Sequence, residues 1–133
     1  MKRIYLACPY SHPDHTVREK RAGFTTFVAA YLMKNRFLVF SPITHGHAIG
    51  SFLPEETYTW DFWKPHCLSF LTKWTDELYV LALPQWEQSI GIQAEISLAR
   101  SINLPIQFLE MEASGEIIIT DNQPLARSLA ETK

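Results

Sequence analysis

Short apolar runs alternate along the chain with longer stretches of helical spacing. Ile4 to Ala7 is apolar and stops at Cys8-Pro9-Tyr10-Ser11, the pattern of a buried strand ending in a turn. Pro13 and Asp14 then open a helix. Its apolar positions Val17, Phe24, Phe27, Val28, Tyr31 and Leu32 form one stripe, and Arg18, Glu19, Lys20 and Arg21 fall on the other face. The helix is expected to end near Asn35. Phe37 to Phe40 predicts a second buried strand, stopped by Ser41-Pro42, with a loop from Ile43 to Gly50. Residues 57 to 74 have helical spacing, and Pro65 within them is expected to break or restart the helix. Glu77 to Leu83 predicts a third strand, Ser89 to Ser101 a helix, and Ile106 to Leu109 a fourth strand. A short strand, Glu116 to Thr120, and a helix from about Pro124 complete the expected order.

Strands alternating with helices predict a parallel sheet covered on both faces. Right-handed crossovers then bring the functional loops to the carboxyl ends of the strands. Three segments fall there: Cys8 to Asp14, Ser41 to Gly50, and Pro84 to Glu95.

Composition narrows the function classes. The 133 residues suit one domain, 1–133, with a core over 3–110 and a short tail over 111–133. A net charge of −2 offers no basic surplus for a phosphate backbone, which argues against a nucleic-acid polymer as partner. The longest apolar run, Phe27 to Met33, is far short of the about 20 residues a bilayer requires, so no membrane association is expected. Met1-Lys2-Arg3-Ile4 reads as a strand entry rather than a signal peptide. Cys8 and Cys67 make neither a metal-type pair nor a disulfide framework, which suits the cytoplasm. The aromatic content is high, and all four tryptophans lie between Trp60 and Trp86, a possible stacking surface for a planar ligand as well as core.

The third segment carries most of the candidate chemistry. Ser89 is a good N-cap, and Gly91 would let a ligand approach the first helical turn, where free N–H groups favour a phosphate or carboxylate. Glu95 lies on the same helix face as Gly91. It is either an edge carboxylate, solvated or paired with Arg100 or Lys73, or a desolvated carboxylate in a pocket floor acting as nucleophile or base. Tyr5 is either plain core or a phenol reaching Glu95 to orient it. His45 and His47 flank Gly46. They can contact an anion or substrate hydroxyl, join His66 or Cys67 at a metal, or simply face solvent. Ser11, Arg18 and Arg21 can hold an anion, although both arginines equally suit a solvated helix face. No dinucleotide fingerprint or P-loop is present.

Ile4-Tyr5-Leu6-Ala7 with Pro9-Tyr10-Ser11, Asp76 to Leu81, and Ser89-x-Gly91-x-x-x-Glu95 with Ala99 together resemble the nucleoside 2-deoxyribosyltransferase superfamily, which includes nucleoside 5'-monophosphate N-glycosidases. Ser41-Pro42-Ile43-Thr44-His45-Gly46-His47 is similar to its small bacterial and phage branch. The resemblance covers roughly residues 3 to 110. It implies an α/β flavodoxin-like three-layer fold with a mostly parallel five-stranded sheet and a homodimer or larger homo-oligomer; no cofactor is expected. It also implies Glu95 as nucleophile, Tyr5 as its contact, and Ser89 as a binder of sugar or phosphate. Serine at that position resembles the monophosphate glycosidases. The family's aspartate before the third strand has no counterpart near Cys67-Leu68-Ser69, which leaves Asp61 or His66 as substitutes; Asp76 is expected to be structural.

The expected activity is therefore cleavage or transfer at the N-glycosidic bond of a nucleoside or nucleoside 5'-monophosphate. His45, His47 or His66 would protonate the leaving base, and Trp86 would stack on it. A non-catalytic nucleotide-binding module with the same pocket is the main alternative. A metal-dependent hydrolase built on the three histidines is a third.

Overall fold

The computed structural model describes residues 1–57 and 59–121. Five strands form one sheet: β1 (Arg3–Ala7), β2 (Leu38–Phe40), β3 (Glu77–Leu81), β4 (Ile106–Met111) and β5 (Ile117–Thr120). Their order is β2-β1-β3-β4-β5. All neighbours are parallel except β4 and β5. This is the flavodoxin-like order, in which the crevice at the carboxyl end of β1, where the chain switches direction across the sheet, is the place for a ligand. The tail beyond the resembling segment thus supplies the fifth strand. The expected helix from about Pro124 lies outside the described residues.

Period-2 alternation along β1 sends its side chains to two different cores. Ile4 and Leu6 join Val28, Ala29 and Leu32 of α1 (His15–Lys34). Tyr5 and Ala7 face the other way, toward Cys67 and Leu71 of α3 (Trp60–Lys73) and Ile92 and Ile96 of α4 (Ile90–Ser101). At the other end of the strands, Arg3 and Asp76 tie the starts of β1 and β3 together. The Asp76 carboxylate accepts from the Arg3 backbone N–H at 2.9 Å and from its guanidinium at 3.0 Å. These hydrogen bonds hold the Asp76 carboxyl down at about 2.

Four local expectations are corrected. Residues after Ser41 do not form a loop: α2 spans Pro42–Gly50. Ser41 accepts from the Thr44 N–H as N-cap, and Pro42 sits in the first turn, a start signal stronger than the two glycines that suggested a loop. Pro65 does not interrupt α3. The N–H it lacks would have served the carbonyl of Asp61, in the exposed first turn where water can replace it. The apolar stripe of α1 is also displaced. Ala22, Thr25, Val28, Ala29 and Leu32 are buried, whereas Phe24, Phe27 and Tyr31 are substantially exposed. Small residues let this helix lie close to the sheet, and they carry less weight in a hydropathy pattern than the outward aromatics. Arg21, expected on the solvated face, is buried. No helix among the described residues is long and apolar enough to cross a membrane.

Candidate active site

A cavity of about 480 Å³ opens at the carboxyl ends of β1 and β3, bounded by the segment after β1, by α2 and α3, and by the start of α4. Glu95 lies in its floor and is only 4% exposed. Ile92, Ile96 and Ala99 anchor that face of α4 to the sheet, which carries Glu95 inward with them. Among the described residues Glu95 forms no ion pair. Its partner is Tyr5, whose hydroxyl donates to Glu95 Oε2.

Burial dominates the electrostatics of this pair. It raises the Glu95 carboxyl to about 8, against the opposing pull of the Tyr5 hydrogen bond. Burial, reinforced by the neighbouring carboxylate, also raises the Tyr5 phenol well above its ordinary range. The phenol therefore stays protonated and donates, and Glu95, once ionised, accepts as the carboxylate. Two free cysteines line the same cavity, Cys8 and Cys67. Burial pushes their thiols up to about 12 and about 11, so both are neutral at ordinary pH.

The mouth and walls come from the other two segments. Ser89 caps α4 by accepting from the Ile92 N–H at 3.2 Å. Its own hydroxyl proton is left to donate. Ser11, His47 and Gly91 also line the cavity. Arg21 reaches it from α1, with its guanidinium donating to the Ser11 carbonyl at 3.0 Å and to Gln85 Oε1 at 3.3 Å. Gln85 has a left-handed backbone, φ 71°, an unusual conformation that turns the chain between Pro84 and the helical turn Trp86–Gln88. Burial lowers the Arg21 pKa, yet among the described residues no carboxylate pairs with it.

Several sequence-derived assignments change. Trp86 is not a stacking surface. It is 3% exposed, packs in the core with its ring 5.5 Å from Phe108, and is absent from the cavity wall. The indoles that do line the cavity are Trp60 and Trp63. Gly91 serves one of them: a Cβ there would meet the Trp60 ring at 3.2 Å, so the indole occupies the space reserved in the sequence for a ligand. Gly46 plays the same part under Trp63, at 3.3 Å. His45 is exposed and tilted against Phe40, outside the cavity. Asp61 and His66 are exposed and do not line it either. The buried side chain at that place on α3 is Cys67. The histidines thus do not converge, and among the described residues no group of three or more His, Cys, Asp or Glu is arranged to hold a metal.

The sequence reading missed Trp60, Trp63 and Cys67 as a set. Their spacing places them on one face of a helix and was a usable signal. Arg21, a candidate anion holder in the sequence, equally suited a solvated helix face, and Tyr10 carried no comparable signal, because burial against a cavity is a tertiary property.

The chain matches, over residues 2–111, a family described as a domain of unknown function (DUF1937). None of the curated proteins matches it.

Proposed function

We propose, for a chain that belongs to the DUF1937 family, cleavage or transfer at the N-glycosidic bond of a nucleoside 5'-monophosphate, with Glu95 as nucleophile. The observation that carries this reading is a buried carboxyl group in the cavity floor that, among the described residues, pairs with no cation and is held by the Tyr5 phenol. A purely structural glutamate gains little from such a place, since desolvation without a counter-charge is costly. A nucleophile that must face a developing cation gains much. As the C1'–N bond lengthens, positive charge builds on the sugar and favours ionised Glu95. Tyr5 holds Oε2, which leaves Oε1 for the anomeric carbon. The carbon–oxygen bond forms as the base departs with the electron pair of the C1'–N bond, giving a glycosyl ester. Water then releases the sugar phosphate, or a second base accepts it.

Arg21 favours the phosphorylated substrate over the uncharged nucleoside. A buried guanidinium whose partners among the described residues are neutral is suited to an anion, and the Ser89 hydroxyl and the N-terminus of α4 line the same cavity. Trp60 and Trp63 offer flat apolar surface to a base. The resemblance to the nucleoside 2-deoxyribosyltransferase superfamily supports the same chemistry. With it come the expectations of a cytoplasmic, cofactor-free homo-oligomer acting on a small molecule.

Cys67, standing where that superfamily has an acid, favours a second reading: a nucleotide-binding module without turnover. One experiment separates the two. The purified protein is incubated with a panel of nucleosides and nucleoside 5'-monophosphates, and released base is measured by chromatography. Release from a monophosphate, lost in Glu95→Ala, supports catalysis. No release, with nucleotide still raising the melting temperature, supports the binding module.

A further inference from the structure

With a neutral thiol in place of the expected acid, the cavity needs another source for the proton that a departing base requires. Among the described residues a series of polar side chains leads into it from the surface, with a hydrogen bond at its inner link and an ion-pair contact at its outer one. His47 of α2 places Nδ1 2.7 Å from the Tyr10 hydroxyl and Nε2 3.5 Å from Glu19 Oε1 on α1. The Tyr10 and His47 rings also meet edge to face, 5.6 Å between centroids. Both residues line the cavity that holds Glu95, and Glu19 is at the exposed end of the series. Carboxylate, imidazole and phenol thus stand in series, from solvent to the space a ligand would fill. Three separate segments build this series: the loop after β1, the first turns of α1, and α2. Among the described residues His15 also meets this carboxylate, its Nε2 3.1 Å from the same Glu19 oxygen, with an Arg18 guanidinium nitrogen 3.5 Å from His15 Nδ1.

We infer that Tyr10 is the general acid toward the leaving base, recharged by His47, with Glu19 as a positioning residue. This deepens the glycosidic reading and rests on it. In the imidazolium form, His47 donates Nε2–H to Glu19 and Nδ1–H to the Tyr10 oxygen. The Tyr10 hydroxyl proton is then turned toward the cavity. When the C1'–N bond breaks, its electron pair goes to the base nitrogen, which takes the Tyr10 proton. The Tyr10 oxygen takes the Nδ1 proton, and His47 is left neutral with Nε2–H still on Glu19. When water attacks the glycosyl ester, its proton passes to the Tyr10 oxygen and the Tyr10 proton passes to Nδ1. The imidazolium is restored and Glu95 leaves as carboxylate. The same groups serve as acid and then as base, as microscopic reversibility requires of a retaining reaction.

The test compares two substrates in each variant. One is an ordinary purine nucleoside 5'-monophosphate, whose base needs a proton to leave. The other is its N7-methylated counterpart, whose cationic base leaves neutral without one. In single-turnover release of the base, which precedes attack by water, Tyr10→Phe and His47→Gln should lose about 100-fold or more on the ordinary substrate and no more than about threefold on the methylated one. Glu19→Gln should show the same selectivity more weakly. The ratio between substrates is independent of how much of a variant is folded. Equal losses on both substrates, or no loss on the ordinary one, would overturn the assignment. Glu95→Gln serves as reference and should lose both activities. If it retains both, the glycosidic reading itself fails, an outcome distinct from failure of the Tyr10 assignment.

Discussion

The Tyr5 hydroxyl donates to the Glu95 carboxylate across 90 positions of sequence, joining the first strand to the second turn of α4. Both side chains are buried, and among the described residues no cation pairs with the carboxylate. Tyr5 is therefore the group that opposes the rise of the Glu95 pKa caused by burial. The pH behaviour of the protein follows from this pair.

Removing the phenol should move the activity profile to higher pH. In the wild type kcat/KM is expected to climb as Glu95 ionises, with a limb near 8. Tyr5→Phe deletes the hydrogen bond that lowers this value, so the limb should move upward and the plateau should fall roughly 10- to 100-fold. Rates measured from pH 5 to 10 check it. A profile with an unmoved limb would show that the phenol does not tune the carboxyl.

The same shift is a statement about stability. In the unfolded chain Glu95 titrates near its ordinary 4.5, and in the folded chain near 8. Between these values the folded state holds the extra proton, so stability falls as pH rises through this window and levels off above it. Glu95→Gln removes that dependence. It should be close to wild type in stability at pH 4.5 and more stable at pH 9, by on the order of a few kcal/mol. Urea titrations at the two pH values read the difference. A mutant that is uniformly less stable would contradict it.

Arg21→Gln tests the anion site. Loss of a buried guanidinium should raise KM for a nucleoside 5'-monophosphate by roughly 10- to 100-fold. The corresponding uncharged nucleoside should change by no more than about threefold. Equal changes for the two would remove Arg21 from phosphate recognition.

Gly91→Ala probes the aromatic wall. Helix propensity favours alanine by up to about 1 kcal/mol, while a Cβ at 3.2 Å presses on the Trp60 ring. The two effects oppose one another, so global stability should change little. The indole must shift by a few tenths of an ångström, and nucleotide affinity should fall. Tryptophan fluorescence titration measures that fall. Unchanged affinity would mean that Trp60 does not touch the ligand.

Much of this arrangement could be read from the sequence. The strand–helix alternation gives the parallel part of the sheet, and the Ser89 cap locates the start of α4. Period 2 in β1 and the helical spacing of α4 turn Tyr5 and Glu95 toward a common core. What could not be read depends on packing between distant segments. Trp86 and Trp60 look alike as sequence, and only the packing of Trp86 on Phe108 of β4 and the glycine at position 91 decide which is core and which is wall. Arg21 sits among charged residues in sequence and becomes a cavity residue because α1 lies close to the sheet through Ala22, Thr25 and Ala29. The antiparallel β5 follows a turn with a left-handed Gly115, φ 88°, which reverses the chain after β4.

The central claim is a covalent bond between Glu95 and the sugar. Its most direct measurement is rapid acid quench during turnover of a nucleoside 5'-monophosphate, followed by mass spectrometry of the peptide that carries residue 95. That peptide should gain one pentosyl phosphate in the wild type, and neither adduct nor free base should form with Glu95→Gln. An adduct on another residue, or base released by Glu95→Gln at the wild-type rate, would contradict it.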